Sequence, residues 1–152
     1  MIKISTKTRY ALRALLEMAC RRNGQKLFSL GELSRHQNIS RKYLEIIFST
    51  LRKRDIVASR VGKNGGFYLP ADLSHISLLK ILETLEGKVD IVDCQNPQRK
   101  CKRFDYCAAK GIWQELNTSV KNILASKNLK ELSEQKEIRE KCTPGFLQRK
   151  KH

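Results

Sequence analysis

At 152 residues, 40% hydrophobic and 30% charged, the chain has enough apolar material for one domain with its own core and too much for a disordered one. Thirty-one Lys and Arg against fifteen Asp and Glu leave a formal net charge of +16, an excess that speaks of partners, with phosphate backbones ahead of anionic membrane surfaces. No run approaches the ~20 apolar residues of a membrane span, the first residues lack a signal peptide's apolar core and cleavage site, and no nucleophile–base pair, phosphate loop or paired carboxylates marks an enzyme; a cytoplasmic protein without enzymatic activity or membrane partner is expected.

In chain order, Leu12, Leu15, Leu16 and Ala19 recur at helical spacing and predict a first helix from Thr6 to Arg22, ended by Asn23-Gly24. Ser29 with Glu32 forms a capping-box pattern that opens a short helix, Leu30 to Gln37. A turn at His36-Gln37-Asn38-Ile39 leads to Ser40, the cap of a third helix running from Arg41 to about Arg54. That helix buries Leu44, Ile47, Phe48 and Leu51 and shows Arg41, Lys42, Glu45, Ser49, Arg52 and Lys53 on its other face. Residues 56–61 and 67–69 have strand character, and the glycines of Gly62-Lys63-Asn64-Gly65-Gly66 suit the hairpin tip between them. Ser77 caps a further helix through Leu78, Ile81, Leu82 and Leu85, stopped at Gly87.

Capped helix, short turn, basic helix and glycine hairpin in succession predict a mainly α fold with a small β-hairpin wing, the winged helix-turn-helix. Its second helix enters the major groove of duplex DNA N-terminus first, which puts Ser40, Arg41, Lys42 and Glu45 at base edges. Arg41 suits guanine O6 and N7, and Glu45 suits cytosine N4. Arg52 and Lys53 reach phosphates, and Lys63 and Asn64 at the hairpin tip reach phosphate or the minor groove. A duplex operator offers two half-sites, and Trp113, Leu116, Val120 and Ile123 step by three and four along a long C-terminal helix that supplies a homodimer contact. The expected organisation is a DNA-binding domain over 1–88, a cysteine-rich segment over 89–111, a dimerisation helix over 112–132 and a basic, mostly solvated tail over 133–152, compatible with disorder.

Five cysteines, Cys20, Cys94, Cys101, Cys107 and Cys142, are an odd count for a reducing compartment and favour metal ligation or redox chemistry over a disulfide framework. With Arg9-Tyr10-Ala11-Leu12-Arg13-Ala14-Leu15-Leu16, Ser40-Arg41-Lys42-Tyr43-Leu44-Glu45-Ile46-Ile47-Phe48, Leu51-Arg52-Lys53, Gly65-Gly66 and the set Cys94, Cys101, Cys107 before Trp113, the chain from Met1 to Leu132 resembles the bacterial winged-helix iron–sulfur regulators typified by IscR and NsrR. The resemblance implies a homodimer and an iron–sulfur cluster whose state switches operator affinity, with repression the expected output.

The cysteine spacing agrees, since Cys94-x6-Cys101-x5-Cys107 has none of the paired knuckles of a zinc ribbon, and thiolates suit iron–sulfur clusters. Lys100, Lys102 and Arg103 set positive charge beside them. Three thiols leave one cluster corner to a weaker ligand or to solvent, where oxygen or nitric oxide attacks. Assembly-type members carry a histidine three residues after the third cysteine, where this chain has Lys110, and nitric-oxide-type members use an acidic residue where this chain has Arg9. The fourth ligand therefore stays open among Asp93, Asp105, His36 and His75, and so does the choice between 2Fe–2S and 4Fe–4S. The family's wing arginine falls on Val61, with Arg60 one place earlier as the candidate for the minor groove. Cys20 is expected in the core, and Cys142 has no informative neighbours in sequence. A cluster-free regulator that reads a metabolite, thiol redox state or a partner protein through the same dimer is the competing expectation.

Overall fold

The computed structural model describes residues 4–24, 27–95 and 101–142. In order these form α1 (Thr6–Arg21), α2 (Leu30–Gln37), α3 (Arg41–Arg52), β1 (Ala58–Arg60), β2 (Gly66–Tyr68), α4 (Leu78–Glu86), single 3-10 turns at Asp93–Gln95 and Phe104–Tyr106, then α5 (Lys110–Ser126), α6 (Leu129–Glu134) and α7 (Lys136–Lys141). The mainly helical fold with a hairpin wing is thus the one the sequence predicts.

Local chemistry explains most boundaries. The hydroxyls of Ser5, Ser29, Ser40 and Ser77 each accept a backbone N–H three residues on, from Thr8, Glu32, Tyr43 and Lys80, satisfying one orphan donor per helix. Asn38 takes the left-handed conformation at φ 52° and closes α2, a geometry asparagine tolerates better than most residues. Asp55, also left-handed at φ 55°, turns the chain out of α3, and Ile56 N–H donates back to Leu51 O at 3.1 Å.

The core is built from Leu15, Met18, Leu33, Leu44, Ile47, Phe48, Leu51 and Ile81, closed by Phe28 and Ile76. In α1 the buried stripe is Ala11, Ala14, Leu15, Met18 and Ala19, whereas Leu12 and Leu16 are only half-buried. The stripe is rotated from the one the leucines suggest, because two alanines let α1 approach its neighbours closely. The wing pairs Ala58 with Tyr68, Ser59 with Phe67 and Arg60 with Gly66. Phe28 adds a bridge, exchanging both backbone bonds with Phe67 at 2.8 Å. The Phe67 ring then stands edge-on to Phe48 at 5.0 Å, which locks the wing to α3.

The C-terminal part departs from expectation. Instead of one helix over 112–132, α5 stops at Ser126, and Lys127 and Asn128 run extended. They pair with the start of α4: Leu78 N–H donates to Lys127 O at 2.8 Å, and Leu129 N–H to Ile76 O at 2.9 Å. Leu129 is then fully buried in the core, worth about 1.5–3 kcal/mol of apolar transfer. Residues 129–142, part of them expected in a solvated tail, fold into α6 and α7, and α6 packs along α1. The tail expected over 143–152 lies outside the described residues.

Candidate nucleic-acid interface and cysteine segment

The amphipathic pattern of α3 faces Leu44, Ile47, Phe48 and Leu51 inward and leaves Ser40, Arg41, Lys42, Glu45, Ser49, Arg52 and Lys53 exposed. Arg41 Nε lies 3.3 Å from Glu45 Oε1, with the two side chains 69% and 52% exposed. An exposed i, i+4 pair of that kind holds about 0.5 kcal/mol or less, so either group can leave it for a base edge. Arg52 is turned sideways and donates to Ser59 Oγ at 3.2 Å, tying α3 to the base of the wing. Ile46 was missed in the sequence: it is 55% exposed, on the same face as Lys42, Glu45 and Ser49. Its spacing of i+4 from Lys42 was the available signal, masked by the adjacent buried Ile47.

At the wing tip Arg60, Val61, Lys63 and Asn64 are all exposed, and Val61, in the place of the family's arginine, is 94% exposed. The glycine pair is sterically required. A Cβ on Gly65 would lie 2.2 Å from Arg60 O, and one on Gly66 would lie 2.8 Å from Phe28 O. The first position lets the hairpin close on itself, and the second lets the Phe28 segment reach β2.

Behind these elements α1 braces α2 through a buried carboxylate. Glu17, its side chain 3% exposed, pairs with Arg21 Nη1 and His36 Nδ1, both at 2.7 Å, and accepts from Gln37 Nε2 at 2.6 Å. Arg21 continues to Glu32 at 2.6 Å, so Glu32 of the capping-box pattern spends its carboxylate on α1. Arg13 donates to Gln37 Oε1 at 3.1 Å and lies 5.4 Å above the Tyr10 ring. His36, one candidate cluster ligand, therefore belongs to this brace. His75, another, sits on the surface 3.1 Å from Asp72. At the start of α1, Ser5 and Thr8 hydroxyls donate to Glu86 Oε1. Burial pushes the Glu86 carboxyl up, but the bonds from Ser5 and Thr8 outweigh it and hold the group below its ordinary value.

The cysteine segment connects α4 to α5 and is pinned near both ends. Asp90 Oδ1 receives Lys121 Nζ at 2.9 Å and Asn117 Nδ2 at 3.2 Å, and Ile91 N–H donates to Asn117 Oδ1 at 3.2 Å. Against the upward push of burial, Lys121 and Asn117 keep Asp90 below the usual carboxylate range. At the far end Cys107 O accepts from Lys110 N–H at 3.1 Å, and Cys101 O from Phe104 N–H at 3.0 Å. Lys110 Nζ stands 4.1 Å over the Phe104 ring, a cation–π contact. Cys94 is half-buried, and Cys101 and Cys107 are exposed; Lys100 lies outside the described residues. Among the described residues no three His, Cys, Asp or Glu side chains converge as they would around a metal ion. The donor set still fits a soft metal centre, because three thiols share one short segment. Asp93 and Asp105 flank it, both exposed.

Along α5 no residue is buried, and Ile112, Trp113, Leu116 and Ile123 are 50%, 36%, 41% and 61% exposed, with Val120 half-buried. A 17-residue helix with no buried side chain draws little stability from its own chain, and its apolar stripe is open. Elsewhere, the structure corrects the expectation for Cys20, which is half-buried, not a core residue, with its Sγ 3.7 Å from Ser133 O; Cys142 is half-buried as well. No helix among the described residues is long and apolar enough to cross a membrane.

Comparison with known proteins follows the same lines. The family model Rrf2, described as an iron-dependent transcriptional regulator, matches residues 4–135. Over 137 residues the chain is 34% identical to the HTH-type transcriptional regulator IscR of Sodalis glossinidius, covering 90% of this chain and 82% of that one. Among solved structures it is similar to CymR, the global cysteine regulator of B. subtilis, with a TM-score of 0.71 and 32% identity over 88% of this chain and 97% of that one. It is also similar to IscR of T. potens, with a TM-score of 0.68 and 28% identity over 90% of each chain.

Proposed function

The chain belongs to the Rrf2 family of DNA-binding transcription regulators, and from that membership we propose that it grips a roughly palindromic operator as a homodimer, with an iron–sulfur cluster on Cys94, Cys101 and Cys107 setting its affinity. The open face of α3 carries the DNA part. Arg41, Lys42 and Glu45 stand exposed at its N-terminal end, Arg41 and Glu45 held only by their mutual 3.3 Å contact among the described residues, where a recognition helix meets base edges. Ser40, whose hydroxyl caps the helix, stands beside them at the same end. Ile46 adds an apolar contact suited to a thymine methyl. Lys53 and the wing residues Arg60, Lys63 and Asn64 supply phosphate or minor-groove contacts, while Arg52 holds the wing in place. The α5 stripe of Trp113, Leu116, Val120 and Ile123 is covered by a second copy, which sets the spacing of the two recognition helices.

Bound to the three thiols, a cluster supplies a centre sensitive to iron supply, oxygen or nitric oxide. The residues around the segment make its state felt. Asp90, Asn117 and Lys121 join it to α5, and α4 packs on α1, α3 and α5. A change in how Cys94 is held bears on the α4–α5 junction and so on the separation of the α3 helices, the differential contact a switch requires. Anaerobic purification with iron and sulfide analysis, on wild type and Cys101→Ser, tests the cofactor. Stoichiometric iron and sulfide, lost in the variant, supports it. A colourless protein that stays so after reconstitution rejects it.

The second reading is a cluster-free regulator with a thiol or metabolite signal. It is favoured by the lack of convergence of Cys94, Cys101 and Cys107 among the described residues and by the likeness to a cysteine regulator. On that reading the colourless protein still binds its operator.

A further inference from the structure

One α1 side chain holds the turn between α2 and α3 from both sides. Arg13, exposed on α1, donates from Nε to Gln37 Oε1 at 3.1 Å and from Nη2 to Gln37 O. Two donors of its guanidinium thus grip the last residue of α2. The same group lies 5.4 Å above the Tyr10 ring, and Tyr10 meets Tyr43 edge-on at 5.9 Å. Tyr43 is the third residue of α3, and its N–H donates to the Ser40 cap. Arg13 therefore reaches the end of α2 directly and the start of α3 through one ring.

Between those ends the turn is stiff. Gln37 Nε2 donates to the buried Glu17 at 2.6 Å, and Asn38 is left-handed. Ile39 is buried, its N–H donates to Ser34 O at 3.1 Å, and its carbonyl accepts from Ser34 Oγ at 2.6 Å. A turn fixed at so many points passes a shift of Gln37 on to Ser40 and Arg41 instead of absorbing it. A planar guanidinium can set two donors on one residue while laying its face on a ring, whereas a lysine ammonium is a point charge. Base edges and phosphates respond differently to a shifted α3. A bidentate contact from Arg41 needs its geometry, but Lys53 and Lys63 hold phosphates over a range of positions.

Taking α3 as the base-reading helix proposed above, we propose that Arg13 is a positioning residue for operator recognition. Without touching DNA, it fixes the angle at which the first turn of α3 enters the groove, and so sets sequence discrimination. Its loss weakens the selected operator and spares random duplex.

The test uses full-length wild type, Arg13→Ala, Arg13→Lys and Arg41→Ala. A duplex selected by wild type from a random pool and a random duplex are each titrated by fluorescence anisotropy over a series of salt concentrations. The readout is the ratio of the two affinities on one preparation, in which any loss of folded fraction cancels. Arg13→Ala and Arg13→Lys are both expected to lower that ratio about fivefold, ~1 kcal/mol, with the salt slope on random duplex unchanged. A lysine variant that keeps the wild-type ratio overturns the proposal. So does equal weakening of both duplexes by Arg13→Ala with a slope smaller by about one, the mark of a phosphate contact. Ratios equal to wild type in both variants, whatever happens to their urea midpoints, overturn it too. If Arg41→Ala lowers the ratio in that last case, the reading of α3 stands and the role of Arg13 alone falls. A wild type that prefers no duplex overturns both.

Discussion

Replacing Glu17 with alanine removes the carboxylate that braces α1 against α2. The side chain is 3% exposed and serves Arg21, His36 and Gln37 at 2.6–2.7 Å. At about 1.5 kcal/mol for each hydrogen bond to a charged group, the lower end of the usual range, the three together contribute about 4.5 kcal/mol. Two partners recover part of it, because Arg21 keeps Glu32 at 2.6 Å and His36, 30% exposed, turns to water. The net loss is then about 3 kcal/mol, the low end for breaking a buried ion pair, or roughly 6–12 °C in Tm for a chain of this size. Glu17→Gln keeps the shape and one acceptor and loses about half as much. Urea denaturation of the three proteins at neutral pH measures both differences. A loss below about 0.5 kcal/mol for Glu17→Ala, the level of an ordinary surface change, refutes the brace.

Gly65→Ala places a Cβ 2.2 Å from Arg60 O, so the wing tip must re-form; fluorescence anisotropy should show operator affinity falling about tenfold, or ~1.4 kcal/mol, with a much smaller change in melting. Ile46→Ala, at an exposed position, should leave urea stability within about 0.5 kcal/mol yet weaken the selected operator by about 1 kcal/mol while sparing random duplex. Ile123→Asp puts a charge in the open α5 stripe and should turn the proposed dimer into monomer in sedimentation. Asp90 and Glu86 are held below their ordinary values, so each contributes stability that is present above the unfolded carboxylate range and is lost as pH falls through the lower folded value. The Tm advantage of wild type over Asp90→Asn should therefore be full at neutral pH and shrink below about pH 4.

The DNA-binding half was legible because its signals are local. Ser29, Ser40 and Ser77 each cap a helix within three residues, and Gly65-Gly66 marks the hairpin wherever the chain goes. Long-range partners were not legible. Glu17 reads as a polar interruption of the α1 stripe until Arg21, His36 and Gln37 surround it, and Ala11 and Ala14 carry the packing that Leu12 and Leu16 advertise. The end of α5 at Ser126 depends on Lys127 and Leu129 finding the backbone of Leu78 and Ile76, a pairing with no short-range signature. For Cys94, Cys101 and Cys107 the sequence carried the donor chemistry, while their convergence depends on a segment of which residues 96–100 lie outside those described.

Operator affinity in two states of the same protein tests the account most directly. A duplex chosen by selection from a random pool is titrated by anisotropy at fixed salt, first with anaerobically purified protein carrying measured iron and sulfide, then with Cys101→Ser. The account predicts affinities at least about tenfold apart, a coupling of ~1.4 kcal/mol or more, with non-specific binding to random duplex unchanged between the two. Equal affinities for the selected operator would contradict it, and the Cys94–Cys107 segment would then have no part in switching DNA binding.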